Sequence, residues 1–341
     1  MRQYKMLVLT DHSNHSNENS LYPLVQAMRQ HEYCRQLDVA TRGDKCNDAF
    51  FKELASASLL VTKVAENFSF SPTGDSFKTD LRKASITDYE VIWLRMPPPL
   101  SEAFLKKLTT AFPAQLFINN PAGIYKTGSK EFLVNFPNLC PPMQLCRSIE
   151  DIIQFKQDFP IVLKPFREYG GKGIVRIDGD QVWEGKTQKT FAEFTQELIG
   201  KSVAYLGVQF LKNVGLGDKR IIVVNGKIMG ASLRLPAKGS WLCNVAMGGS
   251  SHLTSVDPEE VTIIENLDSI LSEMGIVMYG VDTLVGNDGK RILSEINTTS
   301  IGGLPQIAKL LGKPLVEEAT NSIWNYIDAK VTRSRPISWA D

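Results

Sequence analysis

The amino-acid sequence predicts a protein of mixed α/β and α+β class, in which a parallel α/β unit is followed by antiparallel sheets. Short apolar strands alternate with amphipathic helices up to about residue 122, a pattern typical of a parallel sheet flanked by helices. Beyond residue 200, apolar strands are joined around Asn225-Gly226 and Asp288-Gly289, and such dipeptides favour antiparallel hairpins. The predicted units are residues 1–122, 123–200 and 201–341.

The first unit holds three predicted strands, in MLVLT, YEVIWLRMPPPL and QLFINNPAG, and two predicted helices, in LYPLVQAMRQ and SEAFLKKLTTAF. The polar loop DHSNHSNENS follows the first strand, and a proline turn follows the second. Because loops after the strands of a parallel sheet face the ligand, both loops are expected near a binding site.

The other two units are ordered differently. Residues 123–200 contain two predicted helices, in SKEFLVNF and SIEDIIQFKQDF, separated by the proline-broken LCPPMQL, and end in a strand, a glycine-rich loop and a strand. Residues 201–341 contain the strand VAYLGVQFL, two hairpins and two closing helices. Between the hairpins lies a predicted helix with Asp257 as its N-cap and Pro258 in its first turn.

Composition excludes several classes of protein. The 38 Lys and Arg residues balance 37 Asp and Glu residues, so neither duplex nucleic acid nor a membrane surface is an expected partner. The five cysteines form no metal-binding spacing, and their odd number fits the reduced thiols of a cytoplasmic protein. The N-terminal apolar run is too short for a signal peptide, and the sequence has no 18-residue apolar span.

The hairpin around Asp288-Gly289 carries three oxygen ligands. If these two residues form a type I′ turn, Asn287 pairs with Lys290 and Asp282 lies opposite Glu295. Asn297 then points to the same face of the sheet. Unpaired carboxylates between apolar positions favour a hard cation such as Mg²⁺, which usually shares its coordination with substrate phosphates.

The glycine-rich loop after Lys164 is the second candidate site. Gly170, Gly171 and Gly173 let the backbone approach phosphate oxygens. The loop is not a Walker motif, because no Ser or Thr follows Lys172 and a strand comes next. The loop by itself is explained as well by an ordinary hairpin turn. Lys164 favours the phosphate interpretation, because a lysine inside an apolar strand needs a charged partner.

Basic residues at the start of a strand form the third candidate site. Arg220 and Arg234 offer fork-shaped donors for phosphate or carboxylate groups. Lys219 and Arg220 alone are also explained as a solvated strand end. The strand that contains Gln209, Phe210 and Leu211 is either a backbone surface for adenine or an ordinary core strand.

Taken together and in order, these residues resemble the ATP-grasp superfamily and, within it, the bacterial glutathione synthetases. The resemblance rests on VLKPFREYGGKGIVRI, on GDKRIIVVNGKIMGASLRLPAKGSWLCNVAMGG, and on GVDTLVG followed by SEINTTS. It covers most of residues 120 to 303, and it extends loosely into the N-terminal unit. It implies an N-terminal Rossmann-like (pre-ATP-grasp) domain followed by a two-lobed ATP-grasp domain with antiparallel sheets, whose lid is residues 123–200.

The resemblance also implies a reaction, in which a carboxylate is activated by ATP as an acyl-phosphate and an amine attacks it. The substrates would be γ-glutamylcysteine and glycine, and the protein would form a dimer or tetramer. ATP would be bound by Lys130, Lys164, Gly170, Gly171, Gly173, Gln209, Phe210 and Leu211. Two Mg²⁺ ions, or Mn²⁺, would lie on Asp282, Glu295 and Asn297, with Glu295 bridging. Arg220 and Arg234 would be catalytic, and the substrate would contact Arg95, Arg234, Asn244 and Ser300.

Two segments depart from this family. Ser300-Ile301-Gly302-Gly303 stands where the family usually has Ser-Pro-Thr, and the N-terminal polar loop lacks the expected lysines. An ATP-grasp ligase for a different amino acid or peptide pair therefore stays open. A non-catalytic ATP-binding regulatory protein is the other alternative, but the complete set of Asp282, Glu295, Asn297, Lys164 and Arg220 argues against it.

Overall fold

A computed structural model describes residues 2–52, 54–237 and 250–333, and within these ranges the chain folds around three β-sheets. The first sheet lies in the N-terminal unit and is mixed. Its strands are β1 (Tyr4–Thr10), β2 (Cys34–Thr41), β3 (Ser58–Lys63), β4 (Arg82–Ser85), β5 (Val91–Arg95) and β6 (Leu116–Ile118). The order is β4-β3-β2-β1-β5-β6.

The parallel α/β prediction for this unit is confirmed for four neighbouring strands, β2, β1, β5 and β6. Strands β3 and β4 add an antiparallel edge. The sequence analysis predicted none of β2, β3 and β4. Exposed residues stand at the start of β2 and β4, and β3 is a short strand of six residues. The helices of this unit are α1 (Leu21–Gln30), α2 (Asp48–Phe51), α3 (Glu102–Ala111) and α4 (Pro121–Thr127).

The second sheet is antiparallel throughout and has the order β11-β10-β9-β8-β12-β7. Its strands are β7 (Met143–Cys146), β8 (Ile161–Pro165), β9 (Val175–Asp178), β10 (Gln181–Glu184), β11 (Thr187–Thr190) and β12 (Tyr205–Gln209), and its helices are α5 (Ile149–Phe155) and α6 (Phe191–Leu198). The predicted strand, glycine-rich loop and strand are confirmed as β8, residues 166–174 and β9. The predicted helix in SKEFLVNF is the 3₁₀ helix Lys130–Asn135. Strand β12 extends this sheet past residue 200, and the domain bounds stay predictions.

The third sheet is antiparallel, with the order β15-β14-β13-β16-β17. Its strands are β13 (Asp218–Val224), β14 (Lys227–Leu235), β15 (Ser250–Thr254), β16 (Met278–Val285) and β17 (Arg291–Asn297). The remaining helices are α7 (Pro258–Glu273), α8 (Leu304–Leu311) and α9 (Leu315–Arg333). Asp257 is the N-cap of α7 and Pro258 lies in its first turn, as predicted, and Asp257 also forms a capping box with Glu260. Helix α9 returns to the N-terminal unit, where the buried Trp324 shares a core with Tyr4 and Met28.

The two predicted hairpin turns differ. Asn225 and Gly226 have φ angles of 48° and 75°, which confirms the type I′ turn between β13 and β14. The prediction of a type I′ turn at Asp288-Gly289 is wrong, because only Gly289 has a positive φ, at 86°. Instead the Gly286 N–H donates to the Lys290 carbonyl at 2.7 Å, and the Gly289 N–H donates to the Gly286 carbonyl at 3.0 Å. These bonds close a three-residue loop with glycine in the left-handed region.

Despite this different turn, the predicted pairing of Asp282 with Glu295 is confirmed. The register shifts between Asp282 and Thr283, because Thr283 pairs with Leu293 and Ser294 is an extra residue in β17. The three-residue turn shifts the pairing of the two strands by one residue, and the bulge at Ser294 shifts it back. The two departures from the predicted hairpin cancel at its open end.

Of the helices in the described ranges, α9 is the longest at 19 residues. Neither it nor any other helix there combines the length and the apolar surface needed to cross a membrane.

Candidate active site

A cavity of about 240 Å³ lies between the second and third sheets, under the glycine-rich loop. Strands β8 and β12 supply one wall, and β13, β14, β16 and β17 supply the other. Eleven of the residues named from the sequence line it: Lys164, Gly170, Gly171, Gln209, Phe210, Leu211, Arg220, Arg234, Asp282, Glu295 and Asn297. The folded chain therefore brings together residues that are up to 133 positions apart, since the range runs from Lys164 to Asn297.

The hairpin of β13 and β14 contributes the cationic wall of the cavity. Arg234 lies opposite Asp218, and its Nε and Nη2 atoms donate to the two carboxylate oxygens at 2.7 and 2.6 Å. Arg220, two residues along β13, faces the cavity on the same side of the sheet. The pairing depends on a bulge, because Met229 is an extra residue between the pairs Val223–Ile228 and Ile222–Gly230.

Asp282 joins this wall to the second hairpin. Its carboxylate accepts hydrogen bonds from both Nε and Nη2 of Arg220, the latter at 2.6 Å, and lies 2.9 Å from Nη2 of Arg234. Burial of Asp282 opposes its ionisation, but the two arginines outweigh burial and lower its pKa to about 2. The expectation that Asp282 lacks a counter-charge is therefore wrong, because two guanidinium groups supply it.

The pKa of Asp218 shifts in the opposite direction, because burial dominates there. Burial raises its pKa to about 6, and the neighbouring charge of Asp282 adds to this effect, while Arg234 opposes it. Arg234 is held in its charged form, because the two carboxylates raise its pKa against the effect of burial. The result is a compact network of two arginines and two aspartates on this wall of the cavity.

Three oxygen ligands meet at the open end of the second hairpin, and they fit a divalent cation. The Asn297 amide nitrogen donates to Asp282 at 3.3 Å, so the two side chains are adjacent. The side chain of Glu295 is 30 % exposed and lies 3.5 Å from Nζ of Lys130. Carboxylate and amide oxygens are the ligands that Mg²⁺ prefers, and it needs few of them when phosphates complete its coordination. Among the described residues no cluster of three Asp, Glu, His or Cys side chains forms a complete protein cage.

Lys164 is the cation of the opposite wall. It lies on β8, where its ammonium donates to the Ser294 hydroxyl at 3.2 Å and to the Ser294 carbonyl at 3.4 Å. Burial lowers the pKa of Lys164, although the charge of Glu295 opposes this effect. Within the described ranges, Lys164 has no carboxylate within ion-pair distance. A partly buried ammonium of this kind is stabilised by an anion that enters the cavity.

The glycine-rich loop covers the cavity next to Lys164. Gly170, Gly171 and Gly173 have φ angles of 67°, 79° and 67°, in the left-handed region where a side chain is strained. Gly170 and Gly171 line the cavity. Gly173 packs on the strand instead, because a Cβ atom there would lie 3.0 Å from Cγ of Pro165.

Gln209, Phe210 and Leu211 form the far end of the cavity together with apolar side chains such as Met143 and Val162. The N–H groups of Gln209 and Phe210 donate to the Pro142 and Pro160 carbonyls, at 2.9 and 2.8 Å. The segment is thus fixed at its backbone, and an apolar slot in the same cavity as charged residues suits a flat base with a phosphate tail.

Two of the predicted substrate residues, Arg95 and Ser300, lie outside the lining of the cavity. Arg95 is 2 % exposed, and its Nη2 atom donates to the Ser20 hydroxyl at 2.8 Å and to the Ile301 carbonyl at 2.9 Å. Ser300 lies in the turn after β17 with a φ of 45°, and neither residue lines the cavity. Asn244 lies outside the described residues.

Sequence reasoning missed Asp218, Ser294 and Tyr169, all of which line the cavity. The sequence pattern did not indicate Asp218 and Ser294, because their contacts depend on the bulges at Met229 and Ser294. The turn dipeptides do not predict these bulges. The solvated interpretation of Lys219 is wrong, because its ammonium donates to Asp257 and Glu260 at 2.6 and 3.0 Å and it is 4 % exposed. Lys219 points to the other face of the sheet and anchors α7.

Comparisons with known proteins agree with this site. Residues 129–312 match the family described as prokaryotic glutathione synthetase, ATP-grasp domain. A glutathione synthetase of Rhodopseudomonas palustris is 31% identical over 81% of this chain and 83% of its own length. One of Bradyrhizobium diazoefficiens is 30% identical over 75% of this chain and 79% of its own length.

Solved structures show the same fold at lower identity. D-cycloserine synthetase superposes with a TM-score of 0.65 at 13% identity, over 95% of this chain and 99% of its own. The D-alanine–D-alanine ligase of Bacillus anthracis, solved in complex with ATP, superposes with a TM-score of 0.57 at 12% identity, over 97% of this chain and 100% of its own.

The fold and the cavity define an ATP-grasp protein, an ATP-dependent ligase that acts on small molecules. The chain belongs to the prokaryotic glutathione synthetase family. Use of ATP and dependence on a divalent metal ion follow from this membership.

Proposed function

We propose that the protein joins γ-glutamylcysteine and glycine to form glutathione, through an acyl-phosphate. The observation that carries the ATP half of the proposal is Lys164, a partly buried ammonium without a carboxylate partner in the described chain, which lines the same cavity as Gly170 and Gly171 of the glycine-rich loop. The choice of substrates is supported by the names of the curated relatives, which cover most of the chain.

In the proposed reaction, a carboxylate oxygen of the peptide attacks the γ-phosphorus of ATP, and ADP leaves. The amine nitrogen of glycine then attacks the acyl carbon, loses a proton, and expels phosphate. Arg220 and Arg234 line the cavity with their guanidinium groups already oriented by Asp282 and Asp218. Donors fixed before the reaction stabilise developing phosphoryl charge without the cost of reorganisation.

Asp282, Glu295 and Asn297 would hold two Mg²⁺ ions, with Mn²⁺ as a substitute. When bound, the metal neutralises phosphate charge and orients the γ-phosphoryl group for in-line attack. Lys130 and Lys164 would bind ATP phosphates from the lid side, and Gly170, Gly171 and Gly173 would close over them. Gln209, Phe210 and Leu211 would hold the adenine.

Substrate contacts by Arg95, Arg234, Asn244 and Ser300 belong to the proposal, as do a homo-oligomeric state and a cytoplasmic location. The placement of Arg95 also supports a second candidate, a ligase for another amino acid or peptide pair. The guanidinium of Arg95 is held by Ser20 and the Ile301 carbonyl, so substrate contact by Arg95 would require the 300–303 turn to move. This is the same turn in which the sequence departs from the family.

The decisive experiment measures ADP release by the purified protein with ATP, Mg²⁺ and a panel of dipeptides and amino acids. Release that requires both γ-glutamylcysteine and glycine, with glutathione identified by mass spectrometry, supports the proposal. If this pair causes no ADP release but another pair does, the second candidate replaces the glutathione proposal. If no pair in the panel causes ADP release, both candidates are contradicted.

A further inference from the structure

The first half of the glycine-rich loop is fastened to the end of helix α4. The Tyr169 hydroxyl donates to the Gly128 carbonyl at 2.7 Å, and the Lys130 N–H donates to the Phe166 carbonyl at 2.8 Å. The Arg167 guanidinium lies 4.6 Å from the centre of the Tyr125 ring. Residues 166–169 are therefore bound to residues 125–130, a segment that precedes the second sheet.

Tyr169 also contacts the residues that surround the phosphate end of the cavity. Its ring centre lies 5.3 Å from Nζ of Lys130, within the range of a cation–π interaction. The same ammonium donates to the Glu168 carbonyl and lies 3.5 Å from Glu295. Tyr169 lines both the large cavity and a smaller recess that contains Glu295. Burial raises the pKa of Tyr169, so its hydroxyl remains a donor at neutral pH.

The residues that follow Tyr169 are rich in glycine. Gly170, Gly171 and Gly173 all adopt positive φ angles, and glycines of this kind allow a backbone to change direction at little steric cost. Tyr169 thus stands between the segment fastened to α4 and the glycines that line the cavity. Loops over nucleotides commonly close in this way, and their closed position sets how long the ligand stays bound.

From this geometry we infer that Tyr169 is a positioning residue, whose hydroxyl holds the loop closed on Gly128 and whose ring places the Lys130 ammonium between the loop and Glu295. The inference deepens the proposed function and rests on its ATP site, but not on the identity of the peptide or amine. Tyr169 acts on ATP through the loop and Lys130, and it takes no part in the bond-forming steps.

The test compares Tyr169→Phe, which keeps the ring and loses the hydroxyl, with Tyr169→Leu, which loses both. The matched control is Tyr4→Phe, because the Tyr4 hydroxyl donates to Asp328 at 2.6 Å in a core remote from the cavity. Affinity is measured by calorimetry with AMP-PNP and Mg²⁺. Loop opening is measured without ligand, as the rate of tryptic cleavage after Arg167 and Lys172, which both lie in the loop.

We expect Tyr169→Phe to weaken AMP-PNP binding about threefold to tenfold, the size of one lost hydrogen bond. Tyr169→Leu should weaken it about a further threefold, the size of a lost cation–π contact. Both variants should be cut faster by trypsin in the same order, while Tyr4→Phe matches the parent in both measurements. In turnover, KM for ATP should rise in Tyr169→Phe with kcat unchanged, whereas a partly unfolded enzyme would lose kcat.

Parent-like affinity and parent-like cleavage in Tyr169→Phe would overturn the inference, and this variant keeps the aromatic ring. The two proposals fail separately. If the parent releases no ADP with γ-glutamylcysteine and glycine while Tyr169→Phe still weakens AMP-PNP binding, the positioning role stands and the substrate assignment falls. If the parent makes glutathione and Tyr169→Phe changes neither affinity nor cleavage, the substrate assignment stands and the positioning role falls.

Discussion

The two hairpins of the third sheet are built alike and carry opposite charges. The hairpin of β13 and β14 delivers Arg220 and Arg234 to the cavity, and the hairpin of β16 and β17 delivers Asp282 and Glu295. Each has a glycine in its turn and a single-residue bulge in its second strand, at Met229 and at Ser294. Their turns differ, since the first has two residues and the second has three.

The difference shows that the turn alone does not decide which residues meet at the far end of a hairpin. Counted from its two-residue turn, Asp218 would face Leu233, and the Met229 bulge moves Arg234 into that place. Counted from its three-residue turn, Asp282 would face Ser294, and the bulge brings Glu295 opposite as well. In each hairpin the bulge aims one side chain that the ATP site uses.

The largest expected effect comes from the anionic hairpin. Glu295→Gln removes one carboxylate charge at the proposed metal site, and we expect kcat to fall by about a thousandfold, since metal stabilisation of phosphoryl charge is worth several kcal/mol. Turnover with ATP and Mg²⁺ measures it, and thermal unfolding checks that the fold survives. Asp288→Asn, at the exposed tip of the same hairpin, is the matched control and should act as the parent. Full activity of Glu295→Gln would remove this residue from the metal site.

A smaller effect is expected from the cationic hairpin. Arg220→Ala should lower kcat, because it removes roughly 2–4 kcal/mol of transition-state stabilisation, the usual size for one preorganised donor. Asp282 keeps Arg234 as a counter-charge at 2.9 Å, so the protein should remain folded. Arg220→Lys keeps the charge without the fork and should fall between the parent and Arg220→Ala. Equal turnover in all three proteins would place Arg220 outside the catalytic set.

The two turn glycines, Gly226 and Gly289, should differ in how much an alanine substitution lowers the free energy of unfolding. Alanine at either glycine is strained by positive φ and should cost about 1 kcal/mol of unfolding free energy. Gly226→Ala should cost more than Gly289→Ala, because its Cβ would lie 3.0 Å from Asp268, whereas no atom lies within 4 Å of a Cβ at Gly289. Urea unfolding of the two variants gives the order, and the reverse order would contradict the contact argument.

The smallest effect is expected from exchanging the turn. Deleting Asp288 leaves Asn287-Gly289 as a two-residue loop with the same dipeptide as Asn225-Gly226. Because Gly286 and Lys290 already pair, the strands and the Ser294 bulge should keep their register. We expect turnover within about threefold of the parent and a stability change below about 1 kcal/mol, of the order of one lost local hydrogen bond. A large loss of turnover would show that the three-residue turn is needed to align Asp282 with Glu295.

Local sequence patterns predicted the elements whose apolar period is unbroken. Helix α1, strand β1, the β8 and β9 pair and the capped helix α7 are confirmed. Strand β2 was missed because exposed residues precede its buried half. Strand β4 was missed because it is a four-residue edge with charged side chains. Short edge strands are stabilised by their neighbours in the sheet, and this information is not local.

What the sequence by itself determined is the set of chemical groups and the segments that carry them. Lysine in an apolar strand, glycines in a loop, and carboxylates on a hairpin are readable because each is costly without a ligand or a special backbone. Only the tertiary structure decided their partners. It gives Asp282 two arginines, leaves Lys164 with Ser294, and buries Arg95 beneath Ile301. The physical reason is that a bulge or a neighbouring sheet sets which charges meet, and neither leaves a periodic pattern in the chain.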